Sequence, residues 1–241
     1  MISQIVLVNK KWSDCFVAKN NSFCNDDDYT DILQKNIENN LRFNCSVLEA
    51  GGIDRPLWHK DEELIYDGLD IEYKECCKVI YDHFIVQSIE EPIENKYDLI
   101  VSKTLFEHVP NNRKAFHSIY QALSKNGKII SYQPSKYHPY SLLLRLIGNR
   151  GQRFLIKKLL PWLDDGTRGY PAYFNYCSPW QMRKLLTEIG FKSVKITCFY
   201  HANSYFSFCF PLFLLITLWE NICKKLNWET CCAGFIVEAD K

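Results

Sequence analysis

The chain lacks an excess of charge of either sign, and it lacks an apolar run long enough to cross a bilayer. Its 241 residues include 29 Lys or Arg and 28 Asp or Glu, which gives a formal net charge of +1. General nucleic-acid-binding proteins usually carry a basic excess, so the composition argues against nucleic acid as a partner. The longest apolar stretch, residues 205–219, contains Pro211 and is shorter than the roughly 18 to 20 residues that a spanning helix needs.

Metal-binding and secretory signatures are also missing. None of the eleven cysteines forms a Cys-x-x-Cys pair, and the two doublets lie in segments with helical and strand patterns. This usage favours reduced, buried thiols in a cytoplasmic protein over disulfides or a metal site. The N-terminal apolar run of four residues precedes Lys10 and Lys11, which is the opposite of the charge order in a secretory signal.

Strand-like segments alternate with helical ones along the chain. The predicted strands cover residues 46–50, 65–71, 83–87, 97–102, 127–133, 191–200 and 232–239. One helix is predicted within 25–41, a second between the fourth and fifth strands with Gly127 as its stop, and a third from Ser178, whose capping box is completed by Gln181. The pattern predicts an α/β fold: a doubly wound, mostly parallel seven-stranded sheet with helices on both faces.

The same pattern predicts a single domain, 1–241, without internal repeats. Residues 1–25 form an N-terminal extension, 26–134 a cofactor-binding half and 135–241 a substrate-side half. Helical insertions are expected after the fifth strand and between the sixth and seventh strands.

The stretch "VLEAGGIDRP" (47–56) ends the first strand, where ligands bind in open sheets of this kind. Gly51 and Gly52 allow the backbone to approach a ligand or to adopt positive φ, although Ile53 stands where a dinucleotide motif has another glycine. Glu49 would oppose a pyrophosphate but would suit a cation. S-adenosylmethionine carries a sulfonium and an ammonium and no phosphate, so these residues favour it over a dinucleotide.

Asp70, in "GLDIEY", ends the second strand 19 residues beyond Gly51. This spacing is typical of an acid that binds ribose hydroxyls, because the two oxygens of one carboxylate can accept hydrogen bonds from both hydroxyls.

The segments "VLEAGG", "GLDIEY", "VQSIEEP" and "YDLIVSKTLFEHVPNNRKAFHSIYQALSKNGKIISYQP" together resemble the class I S-adenosylmethionine-dependent methyltransferases over about residues 45–133. The resemblance implies that S-adenosylmethionine is the cofactor and assigns its contacts in four groups. These are the methionine end (Glu49, Gly51, Gly52), the ribose (Asp70, with Ile71 beside the adenine), the adenine frame (Gln87, Ser88, Ile89) and the methyl-transfer centre (Ser102, Lys103). Gln87 and Ile53 stand where many members of the family have Asp and Gly.

Methyl transfer to an oxygen atom would benefit from a general base, and histidine titrates near neutral pH. His108, in the Glu-His-Val segment, and then His138 are the candidates. Glu107 is interpreted as structural. No metal site is needed.

The acceptor is predicted to be a small molecule, a sugar or a lipid-linked glycan. This rests on two basic and apolar segments, 142–163 and 208–226, and on a general likeness to methyltransferases of bacterial surface-polysaccharide pathways. Those segments are either helices that cover the site or a surface for peripheral membrane contact through residues 205–226. The aromatic stretch 169–178 resembles a substrate loop.

Three other functions stay open at this level: a non-catalytic S-adenosylmethionine-binding protein, a nicotinamide-dependent reductase, and a peripheral membrane adaptor. The sequence does not indicate an oligomeric state.

Overall fold

Seven strands form one mixed sheet at the centre of the protein. The computed structural model describes residues 2–60, 63–160 and 170–241. The strands are β1 (Cys45–Ala50), β2 (Leu64–Asp70), β3 (Phe84–Val86), β4 (Tyr97–Lys103), β5 (Leu123–Pro134), β6 (Lys192–Phe199) and β7 (Gly234–Asp240). Their order across the sheet is β3-β2-β1-β4-β5-β7-β6, and only β7 runs antiparallel to its neighbours. The predicted fold class is confirmed.

The helices, in chain order, are α1 (Ile2–Lys19), α2 (Asn21–Cys24), α3 (Tyr29–Glu38), α4 (Cys77–Ile80), α5 (Asn112–Ala122), α6 (Pro139–Leu159), α7 (Pro179–Ile189) and α8 (Phe210–Lys225). Two short 3₁₀ helices, η1 (Asn203–Phe206) and η2 (Glu229–Cys231), precede and follow α8. Asp28 caps α3 by accepting a hydrogen bond from the Thr30 amide at 2.7 Å.

The sheet separates two apolar clusters, as a doubly wound fold requires. One cluster lies beneath α5 and α7 and includes Phe116 and Met182. The other lies beneath α3 and α4 and includes Leu33 and Cys77. Side chains of β1 alternate between them: Leu48 joins the first cluster and Val47 the second.

The β1–β2 connection differs from a regular alternation of strand and helix. No helix forms among the described residues of this connection, 51–60 and 63. Gly51 turns the chain with φ +88°, and the residue before Pro56 is biased away from helical geometry. The amide of Leu57 instead donates to the Glu49 carboxylate, which holds the loop against the sheet.

Two predicted helix ends differ in detail. The α5 helix stops at Ala122 and β5 starts at Leu123, so Gly127 does not end the helix as predicted. The α7 helix starts at Pro179 as predicted, but the Ser178 hydroxyl donates to the Gln181 side chain at 2.9 Å. The predicted capping box, which needs side-chain bonds to backbone amides, is therefore not formed.

Both helical insertions are present, and the N-terminal segment packs against them. The insertion after β5 is α6, interrupted at Gly148 (φ 62°), and the insertion between β6 and β7 contains α8. The α1 helix contacts both of them, most closely α8. No helix was predicted there, because the run of four consecutive apolar residues at positions 5–8 hides the helical spacing of Ile5, Val8 and Trp12.

Candidate functional site

Gly51 forms the turn at the carboxyl end of β1. Its φ of +88° lies in the left-handed region that favours glycine, and its amide donates to the Leu69 carbonyl at 2.8 Å. A side chain at Gly51 would touch Leu105, which follows β4. The first turn therefore lies against the segment that leads from β4 to His108.

The Glu49 carboxyl lies in the core instead of facing the crevice. The residue is 2% exposed, and its oxygens accept hydrogen bonds from the Leu57 amide and from the Tyr66 and Tyr81 hydroxyls. Burial raises the pKa of Glu49 to about 6. The structure thus argues against the predicted contact of Glu49 with the methionine end, because its hydrogen bonds fix the β1–β2 loop. Gly52 leaves room for this carboxyl, since a Cβ there would collide with it.

The ends of β2 and β3 bring the predicted adenosine-binding residues together. The Gln87 amide donates to the Asp70 carbonyl at 3.0 Å, and the Asp70 side chain accepts from the Glu72 amide at 2.9 Å. Ile71 is 62% exposed and Ser88 is half-buried nearby. Ile89, in contrast, is buried in the core, so its side chain is not at this edge.

Ser102 and Lys103 end β4 beside β1. Ser102 pairs in register with Ala50, and its buried hydroxyl has no hydrogen-bond partner among the residues that the structure describes. The ammonium of Lys103 lies 5.3 Å from the centroid of the Tyr29 ring. Burial lowers the pKa of Lys103, and the Asp28 carboxylate opposes that shift. Ser102 therefore brings a buried hydroxyl, which makes no hydrogen bond to a described residue, next to the turn at Gly51.

His108 and Glu107 lie in the turn that follows β4. The His108 amide donates to the Leu105 carbonyl at 2.9 Å, and the ring Nδ1 is 3.0 Å from the Pro171 carbonyl. A carbonyl can only accept, so Nδ1 carries the proton and Nε2 keeps its lone pair. Burial lowers the pKa of His108, which leaves the imidazole neutral at neutral pH.

Glu107 is 4% exposed, and one of its carboxyl oxygens has no hydrogen-bond partner within the described parts of the chain. Burial raises its pKa to about 8, so the carboxyl is uncharged at neutral pH. The backbone carbonyl of Glu107 accepts from the amides of Tyr173 and Phe174, at 2.7 and 3.1 Å. The predicted substrate loop thus lies against Glu107 and His108; Gly169, its first residue, is outside the described residues.

The structure argues against His138 as a base. The residue is 1% exposed, its Nδ1 accepts from the Tyr140 amide at 3.3 Å, and its Nε2 lies 3.1 Å from Glu220 Oε1. Burial lowers the pKa of His138 to about 3 and raises that of Glu220 to about 8. Both ring nitrogens are engaged in the core between α6 and α8, away from solvent.

Four tyrosines that sequence reasoning did not select meet at the carboxyl end of β5, and we call them the tyrosine cluster (Tyr29, Tyr132, Tyr140, Tyr205). Tyr29 stacks on Tyr132 with ring centroids 3.9 Å apart, and Tyr140 stacks on Tyr205 at 3.7 Å. Burial raises the pKa of each phenol, and the nearby Glu107 carboxyl adds to the shift. The cluster joins α3, β5, α6 and η1, so no local pattern could reveal it.

Two surface concavities lie away from these residues. One, of about 380 Å³, is lined by Trp180, Arg183 and other residues of α7. The other, of about 450 Å³, lies between α5 and the loop that contains Glu90 and Pro92. Both are on the outer side of α5 and α7, and neither is lined by a predicted site residue.

Comparisons with known proteins agree with this architecture. A protein-family model described as a methyltransferase domain matches residues 24–196. No significant match was found among curated proteins. Solved structures that cover 88% of this chain include the cyclopropane synthase MmaA2 of Mycobacterium tuberculosis, with 13% identity, a TM-score of 0.54 and 82% of that chain covered. An S-adenosylmethionine-dependent methyltransferase of Archaeoglobus fulgidus also matches 88% of this chain, with 16% identity, a TM-score of 0.50 and 94% of that chain covered.

Phosphoethanolamine N-methyltransferase 2 of Haemonchus contortus, solved with phosphomonomethylethanolamine and S-adenosylhomocysteine, is 12% identical with a TM-score of 0.51 over 88% of this chain. The chain spans between 52% and 66% of the length of this enzyme and several other matched structures. At these identities the structures establish the fold, while the family match covers well over half of the sequence. The match confirms the resemblance of the motifs to the class I S-adenosylmethionine-dependent methyltransferases, whose cofactor is S-adenosylmethionine. The chain belongs to this methyltransferase-domain family.

Proposed function

We propose that this chain transfers a methyl group from S-adenosylmethionine to a hydroxyl group of a sugar, a lipid-linked glycan or another small polyol. The observation that carries the proposal is the meeting of Gly51, Asp70 and Ser102 at the carboxyl ends of β1, β2 and β4. Ligands of open α/β sheets bind at that edge. When bound, S-adenosylmethionine supplies a methyl group on a positively charged sulfur, so the protein's task is mainly to position the reactants.

The residues at this edge fit that cofactor. Gly51 adopts a positive φ that lets the backbone approach a ligand. The buried Ser102 hydroxyl lacks a hydrogen-bond partner in residues 2–60, 63–160 and 170–241, which is costly unless a ligand or water supplies one. The Asp70 carboxylate would hold the ribose hydroxyls, and the exposed Ile71 side chain would pack beside the adenine. Gln87 and Ser88 would border the adenine edge from the end of β3.

The tyrosine cluster and Glu107 would bind the acceptor. Tyrosine rings present flat apolar faces with polar edges, which suits the faces and hydroxyls of a sugar ring. An uncharged carboxyl can both donate and accept a hydrogen bond, and one Glu107 oxygen has no hydrogen-bond partner in the part of the chain that is described. Both features favour a neutral polyol over a charged acceptor.

His108 would take the proton from the acceptor hydroxyl. Its Nδ1–H donates to the Pro171 carbonyl, and the lone pair of Nε2, which lies 3.7 Å from Glu107 Oε1, would accept that proton. The turn that carries His108 begins at Leu105, which faces Gly51. This arrangement supports a role for His108 as a neutral base near the proposed cofactor-binding turn, from which an oxygen nucleophile would benefit.

Calorimetric titration with S-adenosylhomocysteine tests the cofactor site. We expect micromolar affinity, on the order of −8 kcal/mol, weakened at least about tenfold by Asp70→Ala. Glu75→Ala, which removes an exposed carboxylate five residues along the chain, should bind like the wild type. Absence of binding, unchanged affinity in Asp70→Ala, or tighter binding of NADH would contradict the proposal.

Catalysis is tested separately, with methyl-labelled S-adenosylmethionine and a polysaccharide and lipid extract. Label should enter a glycan-containing fraction with the wild type and at a much lower rate with His108→Gln. Cofactor binding without label transfer into any fraction would instead favour the non-catalytic alternative.

A further inference from the structure

The α8 helix is apolar on its exposed face as well as on its buried face. Phe213 and Ile216 face the interior, whereas Leu215, Leu218 and Ile222 are 63%, 52% and 45% exposed. The three exposed residues recur at intervals of three and four, so they form one stripe along the outside of the helix. A solvent-facing helix normally carries polar residues there, and a contiguous exposed apolar patch marks an interaction site.

The α1 helix extends this apolar surface. Ile5, Val8 and Trp12 are exposed along one side of α1, and the Trp12 ring contacts the Phe210 ring at the start of α8, with centroids 6.1 Å apart. The Asn9 side chain also accepts from the Phe210 amide at 2.8 Å, which fixes the two helices to each other. We call the exposed residues of both helices the α1–α8 surface (Ile5, Val8, Trp12, Leu215, Leu218, Ile222).

The two helices of this surface carry more basic than acidic residues. The sequences of α1 and α8 together contain five lysines and two acids, although the whole chain is nearly balanced. One of the two acids, Glu220, is fully buried. Lys11 and Lys225 are exposed near the apolar stripes of their helices.

We propose that the α1–α8 surface binds an anionic lipid bilayer, with both helices lying in the plane of the interface. Exposed leucine, isoleucine and tryptophan side chains flanked by lysines are the combination that such interfacial helices use. Lysines close to an anionic membrane add electrostatic attraction that falls off within a Debye length of the surface. Within the parts of the chain that the structure describes, no helix combines the length and hydropathy needed to cross a bilayer.

Charge favours a bilayer over a second copy of the chain as the occupant. Two α1–α8 surfaces brought together would place basic helices against basic helices, whereas an anionic bilayer accepts the apolar side chains and also attracts the lysines. Tyr205 of the tyrosine cluster lies five residues before α8 begins. A lipid-linked acceptor would therefore reach the tyrosine cluster at the membrane surface, an inference that rests on the proposed function. Binding of the α1–α8 surface to the bilayer does not itself depend on catalysis.

Vesicle flotation with the full chain tests the docking. Wild-type protein should float with vesicles of phosphatidylcholine and phosphatidylglycerol, and less with phosphatidylcholine alone or at high salt. The double substitution Leu215→Gln and Leu218→Gln should lower the partition coefficient by about tenfold or more, because two leucine side chains no longer enter the apolar phase. The pair Lys11→Glu and Lys225→Glu should remove the preference for anionic vesicles.

Matched controls are Val79→Gln, which changes an apolar residue on α4 that is even more exposed than Leu215 and Leu218, and Lys125→Glu. Both should float like the wild type, and all variants should keep wild-type affinity for S-adenosylhomocysteine, which separates loss of docking from misfolding or failure of the cofactor site. Wild-type protein that does not float with anionic vesicles would overturn the proposal, as would a leucine variant that floats equally well. Sedimentation velocity without lipid that shows a dimer dissolved by the leucine substitutions would also overturn it, in favour of a second copy.

Discussion

The carboxyl group of Glu49 occupies the space beside the Cα atom of Gly52. A Cβ atom at Gly52 would collide with this carboxyl and would lie 2.5 Å from the hydroxyl of Tyr81. The second glycine of the motif is therefore needed to accommodate a buried side chain of the protein itself. The Glu49 carboxyl also accepts a hydrogen bond from the Leu57 amide, so the same side chain links the end of β1 to the β1–β2 loop.

Gly52→Ala should destabilise the fold. The added methyl group meets groups that are fixed by hydrogen bonds, and overpacking of this kind costs about 1–3 kcal/mol. Chemical denaturation monitored by circular dichroism measures the change. Val79→Ala, on the exposed side of α4, should stay within about 0.5 kcal/mol of the wild type. Equal stability of the two variants would show that the Glu49 carboxyl moves freely.

Glu107 should make stability depend on pH. Its pKa is about 8 in the folded protein and 4.5 in the reference state. The folded state therefore binds more protons between these values, and stability falls as pH rises from about 4.5 to 8. The loss attributable to Glu107 is on the order of 5 kcal/mol. The measurement is the difference in unfolding free energy between the wild type and Glu107→Gln, whose glutamine cannot ionise. If the difference in unfolding free energy between the two proteins is constant over this pH range, the Glu107 carboxyl is not uncharged in the folded state.

His108 should titrate below its ordinary pKa of 6.5, because burial disfavours the charged ring. Its neutral form should carry the proton on Nδ1, which lies 3.0 Å from the Pro171 carbonyl. Long-range nitrogen–proton NMR correlation spectra of the imidazole report both properties, and His108→Gln identifies the signal. A neutral ring protonated on Nε2 would contradict the assignment of Nε2 as the proton acceptor.

Asp26 should anchor the N-terminal segment to the rest of the protein. Its carboxylate accepts from the amides of Tyr200 and His201 and pairs with Lys224 at 2.8 Å. Although burial opposes ionisation, the bonds from His201 and Lys224 hold the pKa of Asp26 well below its usual value of 3.8. The ionised Asp26 therefore stabilises the folded state above its usual pKa of 3.8, and this stabilisation is lost as the pH falls below that value.

Asp26→Asn should cost about 2 kcal/mol at neutral pH, the typical value for hydrogen bonds to a charged group. Asp14→Asn is the matched control, because Asp14 forms an exposed pair with Lys10 whose loss should cost less than about 1 kcal/mol. Denaturant midpoints of the two variants provide the comparison. Equal midpoints would mean that Asp26 does not anchor the segment.

The sequence by itself determined the seven strands and, to within one residue, the positions of their carboxyl ends. Periodicity and turn residues are local properties, so they suffice to place Gly51, Asp70 and Ser102 at the ends of strands. The parallel pairing of these strands then requires that the three residues share one edge of the sheet.

Only the tertiary structure decided which side chains face that edge. Glu49 and Ile89 turn into the core, His138 is enclosed between α6 and α8, and α1 packs on α8. The tyrosine cluster joins residues up to 176 positions apart in the chain, from Tyr29 to Tyr205. A side chain's burial and partners depend on contacts with distant segments, and these contacts leave no periodic signal in the sequence around it.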